Sequence, residues 1–289
     1  MPELPEVETI RRQLEPEITG ARIADAAVFD ERWTRPGSPG EVEDLLRGRT
    51  IDAVERRGKY LLLRLEGGRT LAMHLRMTGN LLLVDETTDP PYLRAQLQLE
   101  GGRRLLFTDA RRFGHAVVLD DAELDEYFAA RLGIEPLSDS LTAEELCRRA
   151  AGRRAPLKSF LLNQLGVAGI GNIYADEALH RAELHPLSPA GSMKPEDCER
   201  LRVGIVDALE AGLRSGGASI DDYRDSRGEQ GAMQDEFLVH TREGKPCPRC
   251  GAEIRRIVVG GRSTYFCPSC QRRLRRRPRR RRARARATT

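Results

Sequence analysis

Four cysteines near the end of the chain constrain its fold more than any other feature. They stand as CPRC at 247–250 and CPSC at 267–270, a Cys-x2-Cys-x16-Cys-x2-Cys pattern. This spacing is typical of a closed zinc site with four thiolate ligands, which stabilises a fold without taking part in chemistry. Between the pairs, the run IRRIVVGGRSTYF predicts two short strands around Gly260–Gly261. We therefore predict a hairpin that holds one structural zinc ion through Cys247, Cys250, Cys267 and Cys270.

Disulfide bonds are the alternative use for these cysteines, but they are rare in cytosolic proteins. The N-terminus has acidic residues where a secretion signal would carry positive charge, and no apolar segment follows them. No apolar run approaches the roughly 20 residues that a membrane span needs. We therefore expect a cytoplasmic protein that associates with the chromosome. The remaining cysteines, Cys147 and Cys198, are expected to be free thiols, buried or half-buried in helices.

Charge is distributed unevenly along the chain. The net charge is +4, yet eleven arginines and no acid lie between Arg272 and Arg286, so the other 37 basic and 44 acidic residues give −7. Binding to a polyanion must then come from local patches or from this tail. Residues 272–289 are too charged to fold alone. We interpret them as a disordered arm that adds non-specific nucleic-acid affinity, with a solvated tail of no dedicated role as the alternative.

Hydrophobic spacing separates a strand-rich part of the chain from a helix-rich part. Residues 1–20 predict a helix that ends at Gly20. Short apolar runs between glycine turns then indicate a β-sandwich, with strands at 60–65, 70–77, 81–84, 95–102 and 115–120. A hinge near 134–141 precedes predicted helices at 142–151, 156–165, 172–181 and 195–214. Residues 215–232 are predicted to form a mobile loop, in which 217–223 could be a further helix.

Two other stretches attract attention on their residues alone. The opening, MPELPEVETI, places three carboxylates within eight residues, and in isolation it predicts only a capped helix start. The stretch QLGVAGIGNIYADEAL at 164–179 brings backbone amides and Asn172 to a helix N-terminus, an arrangement that suits a phosphate. A plain helix–turn–helix connection is the alternative there. No strand leads into these glycines, which disfavours a dinucleotide-binding fold.

Six blocks in fixed order carry a family resemblance over nearly the whole chain. They are PELPEVET, RRGKYLL, HLRMTG, FTDARRFG, GIGNIYADEAL and the hairpin ending GRSTYFCPSCQR. Together they resemble formamidopyrimidine-DNA glycosylase, the bacterial 8-oxoguanine repair enzyme of the helix–two-turn–helix superfamily. The related endonuclease VIII typically begins PEGPE, so Leu4 favours the purine-directed branch. The resemblance implies an α+β fold: an N-terminal β-sandwich with a leading helix, a C-terminal helix–two-turn–helix domain and a four-cysteine zinc finger, with double-stranded DNA in the cleft between them.

Catalytic roles follow from the same resemblance. Once Met1 is removed, Pro2 carries a free secondary amine, which is nucleophilic near neutral pH and can form a Schiff base with the damaged nucleotide. Glu3 is expected to donate and accept protons, and Glu6 to support it, with a simple helix cap as the alternative. Lys59 is expected to assist elimination, and Arg262 to grip the phosphate beside the lesion. Glu8 has no functional case and is expected to be a solvated helix residue.

The resemblance also implies a set of DNA contacts. A flipped nucleotide leaves a hole in the duplex, and Met77, Arg111 and Phe113 match the residues that fill it. Further matches to DNA-contacting positions are Tyr92, Arg154, Lys158, Asn172 and His74, although a core histidine is the alternative for His74. Several positions depart from the common pattern, namely Arg76, Tyr92, Ala232, Met233 and His240–Thr241.

These observations predict a division of the chain and a reaction. The predicted parts are 1–134 (catalytic sandwich), 135–150 (hinge and linker), 151–240 (helix–two-turn–helix domain), 241–271 (zinc finger) and 272–289 (tail). The predicted enzyme is a monomeric glycosylase and abasic-site lyase that excises oxidised purines and nicks DNA by β,δ-elimination. An endonuclease VIII-like enzyme for oxidised pyrimidines and a non-catalytic zinc-ribbon DNA-binding protein are the alternatives.

Overall fold

The computed structural model describes residues 1–85, 89–220 and 222–275. Its α-helices are α1 (Leu4–Ile18), α2 (Pro39–Leu46), α3 (Asp121–Ala129), α4 (Ala143–Ala150), α5 (Leu157–Leu162), α6 (Asn172–Arg181) and α7 (Pro195–Arg214). Its strands are β1 (Ile23–Val28), β2 (Ile51–Arg57), β3 (Tyr60–Leu65), β4 (Arg69–His74), β5 (Gly79–Val84), β6 (Leu93–Leu99), β7 (Arg104–Asp109), β8 (His115–Asp120), β9 (Arg255–Val259) and β10 (Arg262–Phe266). None of these helices is long and apolar enough to cross a bilayer.

The first eight strands form a sandwich of two antiparallel sheets, which confirms the predicted fold class. One sheet has the strand order β1, β6, β7, β5, and the other β2, β3, β4, β8. Apolar side chains from the facing sides of both sheets fill the core, where Trp33 packs against Phe107 with ring centroids 5.4 Å apart. The predicted strand at 60–65 matches β3 residue for residue. Strands β1, β2 and β7 and helices α2 and α3 were not predicted.

Helix α1 belongs to both halves of the molecule. Val7, Ile10, Leu14 and Ile18 are fully buried in the sandwich core, whereas Leu4 is fully buried in the core of the helical half. Burying a side chain of this size contributes roughly 1.5–3 kcal/mol. The first turn of α1 is therefore held against the helical domain by packing, and this places the N-terminus in the cleft.

The helical half begins earlier than predicted. Residues 135–150 are more than a linker, because they contain α4, whose Leu146 and Ala150 lie in the helical core with residues of α6 and α7. Helices α4, α6 and α7 agree with the predicted segments to within one residue at each end, and α5 is shorter than its segment. The alternative helix at 217–223 does not form among the described residues, where Ala218 pairs instead with Ala232 and closes the base of the loop.

A disulfide bond joins Cys147 of α4 to Cys198 of α7, so the prediction of free thiols at these positions is wrong. Composition could not reveal the pairing, because the two residues are 51 positions apart and meet only through the packing of their helices. The bond ties the start of the long helix α7 to the end of the domain linker.

The predicted tail is anchored at its start. The Arg272 backbone donates to the Glu183 carbonyl at 2.9 Å, and the Leu274 N–H donates to the Ser188 hydroxyl at 3.0 Å. The Arg272 guanidinium also pairs with Asp197 of α7. Residues up to 274 therefore belong to the folded body. The rest of the predicted arm, from 276 onwards, lies outside the described residues.

Candidate active site and DNA-binding cleft

A cavity of about 420 Å³ lies between the sandwich and the helical half. Most of the predicted catalytic residues and several of the predicted DNA contacts line it, namely Glu3, Lys59, His74, Met77, Asn172 and Arg262. Met1 also lines this cavity, directly in front of the buried Pro2. Removal of Met1 would therefore leave the Pro2 nitrogen facing the space that these groups share.

The Glu3 carboxylate is held at the N-terminus of α6. It accepts hydrogen bonds from the backbone N–H groups of Gly171 at 2.7 Å, Ile173 at 3.0 Å and Tyr174 at 3.4 Å. A helix N-terminus offers unpaired amides and positive potential, so it stabilises a carboxylate. Gly171 is required for this approach, because a Cβ atom there would lie 2.2 Å from Cδ of Glu3. The glycines of 164–179 therefore serve a protein carboxylate.

Glu6 connects α1 to two elements of the helical half. Its carboxylate accepts from the Glu3 N–H, the Tyr174 hydroxyl and the Ala218 N–H, all at 2.7–2.8 Å. Burial, followed by the charge of Glu3, raises the pKa of Glu6 above its ordinary value. Glu6 is thus a helix cap that also fixes the position of Glu3 against α6 and the loop base.

Glu8 is buried, so the prediction of a solvated residue is wrong. It pairs with Arg11 at 3.0 Å, Arg12 at 2.8 Å and Arg56 of β2 at 3.0 Å. Arg56 also contacts Glu135, which follows the sandwich in the chain. Burial alone would raise the pKa of Glu8, but the hydrogen bonds from Arg11 and Arg12 and the charge of Arg56 outweigh it and lower that pKa.

Lys59 lies in the turn between β2 and β3 and is 4% exposed. Burial lowers the pKa of its ammonium group below the ordinary value, while the carboxylates of Glu3 and Glu6 oppose that shift. A lysine with a lowered pKa can exchange a proton near neutral pH, which suits an elimination reaction. The simple alternative of a solvent-exposed lysine does not hold.

Arg262 opens strand β10 at the turn of the zinc hairpin and is exposed towards the cavity. Gly260 and Gly261 form this turn with φ values of 57° and 74°, a left-handed pair that favours glycine. Asn172 attaches the hairpin to α6, because its side-chain amide donates to the Ser263 carbonyl at 3.0 Å. Its other side-chain atom, Oδ1, is buried without a partner among the described residues. Asn172 therefore has an evident structural role beside any contact to DNA.

The four predicted metal ligands come together below this hairpin. Their sulfur atoms lie within 4.8 Å of one another, with separations of 3.9 Å for Cys247–Cys270 and 3.5 Å for Cys250–Cys267. A tetrahedron with bonds of about 2.3 Å from zinc to sulfur has edges of about 3.8 Å, whereas a disulfide needs about 2.05 Å. The donors thus fit one structural zinc ion. Because few apolar side chains pack in this module, the metal supplies much of its stability.

His180 of α6 approaches the same site from the helical domain. Its Nε2 lies 3.4 Å from Sγ of Cys247, and burial lowers the pKa of the ring to about 4. A neutral ring with hydrogen on Nε2 donates to the thiolate and leaves Nδ1 as an acceptor without a partner in the described structure. This contact was not predicted, because nothing in the sequence relates position 180 to the cysteines.

The three residues expected to fill the duplex occupy two adjacent turns. Met77 is half-buried in the turn after β4, whereas Arg111 and Phe113 are exposed in the turn after β7, with the Arg111 guanidinium 4.9 Å from the centre of the Phe113 ring. Asp109 organises both turns. Its carboxylate accepts from the backbone N–H groups of Arg111, Phe113 and Gly114 at 2.7–3.1 Å and bonds the Thr78 hydroxyl. Asp109 was missed, although an aspartate before a turn commonly plays this part.

The structure supports the core alternative for His74. The residue is 7% exposed, stacks on His115 and meets Tyr60 edge-on at 4.6 Å. Burial, with the charge of Arg76 next, lowers its pKa well below the ordinary value, and its Nδ1 accepts from the Arg76 N–H at 3.0 Å. A neutral His74 therefore shapes the turn that carries Met77. Arg76 has φ 56°, a left-handed conformation that explains why glycine is often found there.

Lys158 is not a direct DNA contact in this structure. It is fully buried, and its Nζ lies 2.5 Å from Asp176 and 3.0 Å from the Asn172 carbonyl, so it cannot reach a phosphate without breaking both contacts. Arg154 and Tyr92 are exposed, as a DNA contact requires. Tyr92 adopts φ 64°, a left-handed conformation, at 59% exposure.

The loop expected to cap the lesion is attached to the sandwich at several points. Arg224 and Ser226 donate backbone N–H bonds to Asn80 and Gln13 at 2.8 Å and 3.0 Å, and Tyr223 is buried against the sandwich core. Met233 is fully buried in the helical core, so this position supports the loop from below. Ala232 is exposed and pairs with Ala218.

Comparison with protein families covers most of the chain. Residues 1–116 match the model of the formamidopyrimidine-DNA glycosylase N-terminal domain, and residues 132–224 match that of its H2TH domain. Residues 244–273 match a zinc finger found in FPG and IleRS. The second match begins before α4, in agreement with the packing of that helix.

Individual relatives agree with these models. Formamidopyrimidine-DNA glycosylase of Chloroflexus aurantiacus is 47% identical over 94% of this chain and 98% of its own. The Thermus thermophilus enzyme structure superposes with a TM-score of 0.84 at 42% identity, over 93% and 98% of the two chains. A Lactococcus lactis variant bound to DNA containing Fapy-dG gives a TM-score of 0.88 at 33% identity, over 94% and 100%. The chain belongs to the formamidopyrimidine-DNA glycosylase family.

Proposed function

We propose that this chain is a DNA glycosylase and abasic-site lyase of base excision repair that removes oxidised purines, 8-oxoguanine and formamidopyrimidines, from double-stranded DNA. One observation carries the proposal: Glu3, Lys59 and Arg262 converge from three separate elements on the cavity that Met1 closes in front of Pro2. A non-catalytic zinc-ribbon protein would have no need of a buried lysine beside a carboxylate. We place the enzyme in the cytoplasm with the chromosome, acting as a monomer.

The reaction begins with removal of Met1. The Pro2 nitrogen then attacks C1′ of the damaged nucleotide with its lone pair, the bond from C1′ to the base breaks, and the base leaves after protonation. Glu3, held at the α6 N-terminus, delivers a proton to the sugar oxygen as the ring opens to an iminium ion. Lys59 is placed to help remove the C2′ proton, which expels the 3′ phosphate. Elimination of the 5′ phosphate beside Arg262 then completes the nick.

The residues assigned to DNA contact keep that role as proposals, with two changes. Met77, Arg111 and Phe113 fill the space of the flipped nucleotide, and Asp109 holds their turns. Tyr92, Arg154 and Asn172 contact the DNA backbone. Lys158 and His74 instead support their neighbours from inside the protein.

Oxidised pyrimidines are the alternative substrate. The structure gives Leu4 a packing role in the helical core, so Leu4 cannot select a base by contact. A complex of the Lactococcus lactis relative with an oxidised pyrimidine containing DNA is known. Excision from matched duplexes that carry either lesion will rank the two substrates, and faster excision of the pyrimidine would reverse the proposed preference.

Borohydride trapping on an 8-oxoguanine duplex tests the nucleophile. We expect the processed enzyme to form a covalent adduct, and Pro2→Gly or an extension in front of Pro2 to lose nearly all adduct and base excision while still binding DNA. A C-terminally tagged enzyme is the matched control and should react normally. Adduct formation at an unchanged rate in either altered protein would rule out Pro2 as the nucleophile.

A further inference from the structure

His240 occupies a fixed position between α6 and the zinc hairpin. Its Nδ1 lies 2.8 Å from the Asp176 carboxylate, and its ring meets Phe237 and Tyr265 edge-on at 5.3 Å and 5.1 Å. The His240 backbone N–H donates to Glu177 at 3.1 Å. The residue is 5% exposed. Both its backbone and its ring are therefore held by neighbours, and rotation of the ring would break the contact to Asp176.

The contact to Asp176 determines which ring nitrogen carries hydrogen. One oxygen of the Asp176 carboxylate accepts from Lys158 and the other faces Nδ1, and the side chain is completely buried. Only Nδ1–H can donate to that oxygen. In a neutral imidazole the opposite nitrogen, Nε2, is then an acceptor, and it becomes a donor only when the ring is protonated.

The opposite edge of the ring faces the DNA cleft. His240 lines the same cavity as Glu3, Lys59 and Arg262, and the edge that carries Nδ1 is engaged by the buried Asp176, so the edge that carries Nε2 is the one left towards the cavity. Within the described residues Nε2 has no hydrogen-bond partner. A buried ring with one nitrogen fixed and the other unpaired towards a basic cleft is suited to an anionic ligand.

We propose that His240 binds a phosphate of the DNA backbone through Nε2, and that it takes up a proton as the DNA binds. A phosphate has only acceptor atoms, so a neutral His240 would present a lone pair to a negative charge. The inference rests on the proposed function, because it adds a contact to the same DNA cleft. It assigns a role to a histidine that stands where the family commonly has Tyr.

The charges around His240 allow this exchange. Asp176 and Glu177 favour the protonated ring from α6, whereas Lys158 behind Asp176, and Arg262 and Lys59 across the cavity, oppose it. Glu3 lies across the same cavity, and Tyr265 of the hairpin contributes a neutral ring. A phosphate on the open side adds a negative charge and shifts the balance towards protonation. Histidine is the side chain that ordinarily changes charge between about pH 5 and 8, so the effect falls within a measurable range.

The test compares DNA affinity in His240→Gln and wild type over about pH 5.5–8.5, on a duplex with a stable abasic analogue. The glutamine amide can donate to a phosphate but does not titrate. We expect wild-type affinity to fall by up to about tenfold per pH unit in part of this range, and the variant to lose that component. The pH dependence from other groups, such as the Pro2 amine, is common to both proteins and cancels.

Two further measurements distinguish a phosphate contact from a structural role. At low pH the slope of log K against log salt should be steeper in wild type by about 0.9, the value for one phosphate, and the difference should vanish at high pH. Calorimetry in buffers of different ionisation enthalpy should show proton uptake in wild type that the variant lacks. His185→Gln, a histidine that does not line the cavity, is the matched control and should behave as wild type.

The outcomes separate this inference from the proposed function. Equal pH slopes, equal salt slopes and equal proton uptake in wild type and a folded, zinc-loaded His240→Gln would overturn the role of His240. Failure of the wild-type enzyme to excise 8-oxoguanine at any pH would overturn the proposed function instead. Loss of affinity by the same factor at every pH and salt concentration would show that His240 acts only through structure, and would also overturn the inference.

Discussion

At the residue scale, the active site depends on close approach of two chain segments far apart in sequence. Glu3 enters a pocket of backbone amides that is only as wide as a glycine allows, since Gly171 would bring a Cβ atom within 2.2 Å of the carboxyl carbon. The position of a catalytic acid is sensitive to such displacement, because a shift of about 1 Å can cost roughly a hundredfold in rate.

Gly171→Ala is therefore expected to reduce base excision by about a hundredfold. The backbone at this position has φ −122°, which alanine adopts freely, so the effect should arise from the clash with Glu3 alone. Single-turnover excision measures the rate, and binding to a duplex with an abasic analogue should change little. Gly40→Ala, in an open position of α2 where an added Cβ meets nothing within 4 Å, is the control. An active Gly171→Ala enzyme would show that Glu3 tolerates displacement.

Individual residues also show where sequence reasoning stopped. Pro2, Glu3, Lys59 and Arg262 were identified because each stands in a recognisable block, and three of them line one cavity. Lys158 was placed by the same resemblance, yet its partner Asp176 is 18 residues away and appears only when α5 packs on α6. A motif therefore gives the position of a residue in the chain but not the neighbours that decide whether its charge faces solvent.

At the element scale, α1 is the part that joins the two halves. Its polar side was expected to face water, because charged residues at helical spacing ordinarily do. Instead β2 covers that side, and Arg56 bridges Glu8 of α1 to Glu135 of the following linker. Strands β1, β2 and β7 escaped prediction although they frame this contact. Their short polar and apolar alternation resembles that of loops, and only pairing with neighbouring strands distinguishes the two.

Glu8→Gln is expected to lower stability at neutral pH by about 2 kcal/mol, less than the 3–5 kcal/mol typical of breaking a buried pair, because Arg56 keeps Glu135. The folded pKa of Glu8 lies below its ordinary value of 4.5. Its stabilisation is therefore fully present above that value and is lost as the pH falls through the lower, folded pKa.

Denaturant unfolding of wild type and Glu8→Gln from about pH 7 down to pH 3 measures this effect. The two stabilities should converge at the acidic end. Glu15→Gln, which removes an exposed partner of Arg11 from the same helix, should cost at most about 0.5 kcal/mol. A constant difference between wild type and Glu8→Gln at all pH values would mean that the carboxylate charge contributes nothing.

At the scale of the whole molecule, one covalent link and one basic segment lie outside the catalytic site. The link between Cys147 and Cys198 closes a separation of 51 residues in the helical half. Cross-links of this kind typically stabilise by about 2–4 kcal/mol. Neither its presence nor its partners followed from composition, which had favoured free thiols.

The double variant Cys147→Ala, Cys198→Ala is expected to unfold at a temperature lower by roughly 5–10 °C, from about 2–4 °C per kcal/mol for a protein of this size. Scanning calorimetry of the zinc-loaded proteins measures the shift. In addition, denatured wild-type protein freed of zinc but not reduced should take up four alkyl groups, because only four cysteines are free in the structure. Uptake of six would mean that the bond does not form.

Deletion of residues 276–289 tests the basic segment. Eight arginines are removed while the anchored residues 272–275 remain. If the segment binds DNA, the slope of log K against log salt should flatten by about 0.9 for each lost phosphate contact, with little change in excision at low salt. Replacing the eight arginines by glutamine keeps the length and separates charge from size. An unchanged slope in both proteins would leave the segment without a role in DNA binding.

The bonds of Glu3 also decide when the enzyme becomes competent during its synthesis. Its amide partners lie 168, 170 and 171 residues further along the chain. The ribosome releases the N-terminus first, yet the carboxylate cannot reach its final environment until α6 has been made and has folded against α1. The first residues to be made are thus the last to be set in place, and a nascent chain carries the nucleophile without the groups that would let it cut DNA.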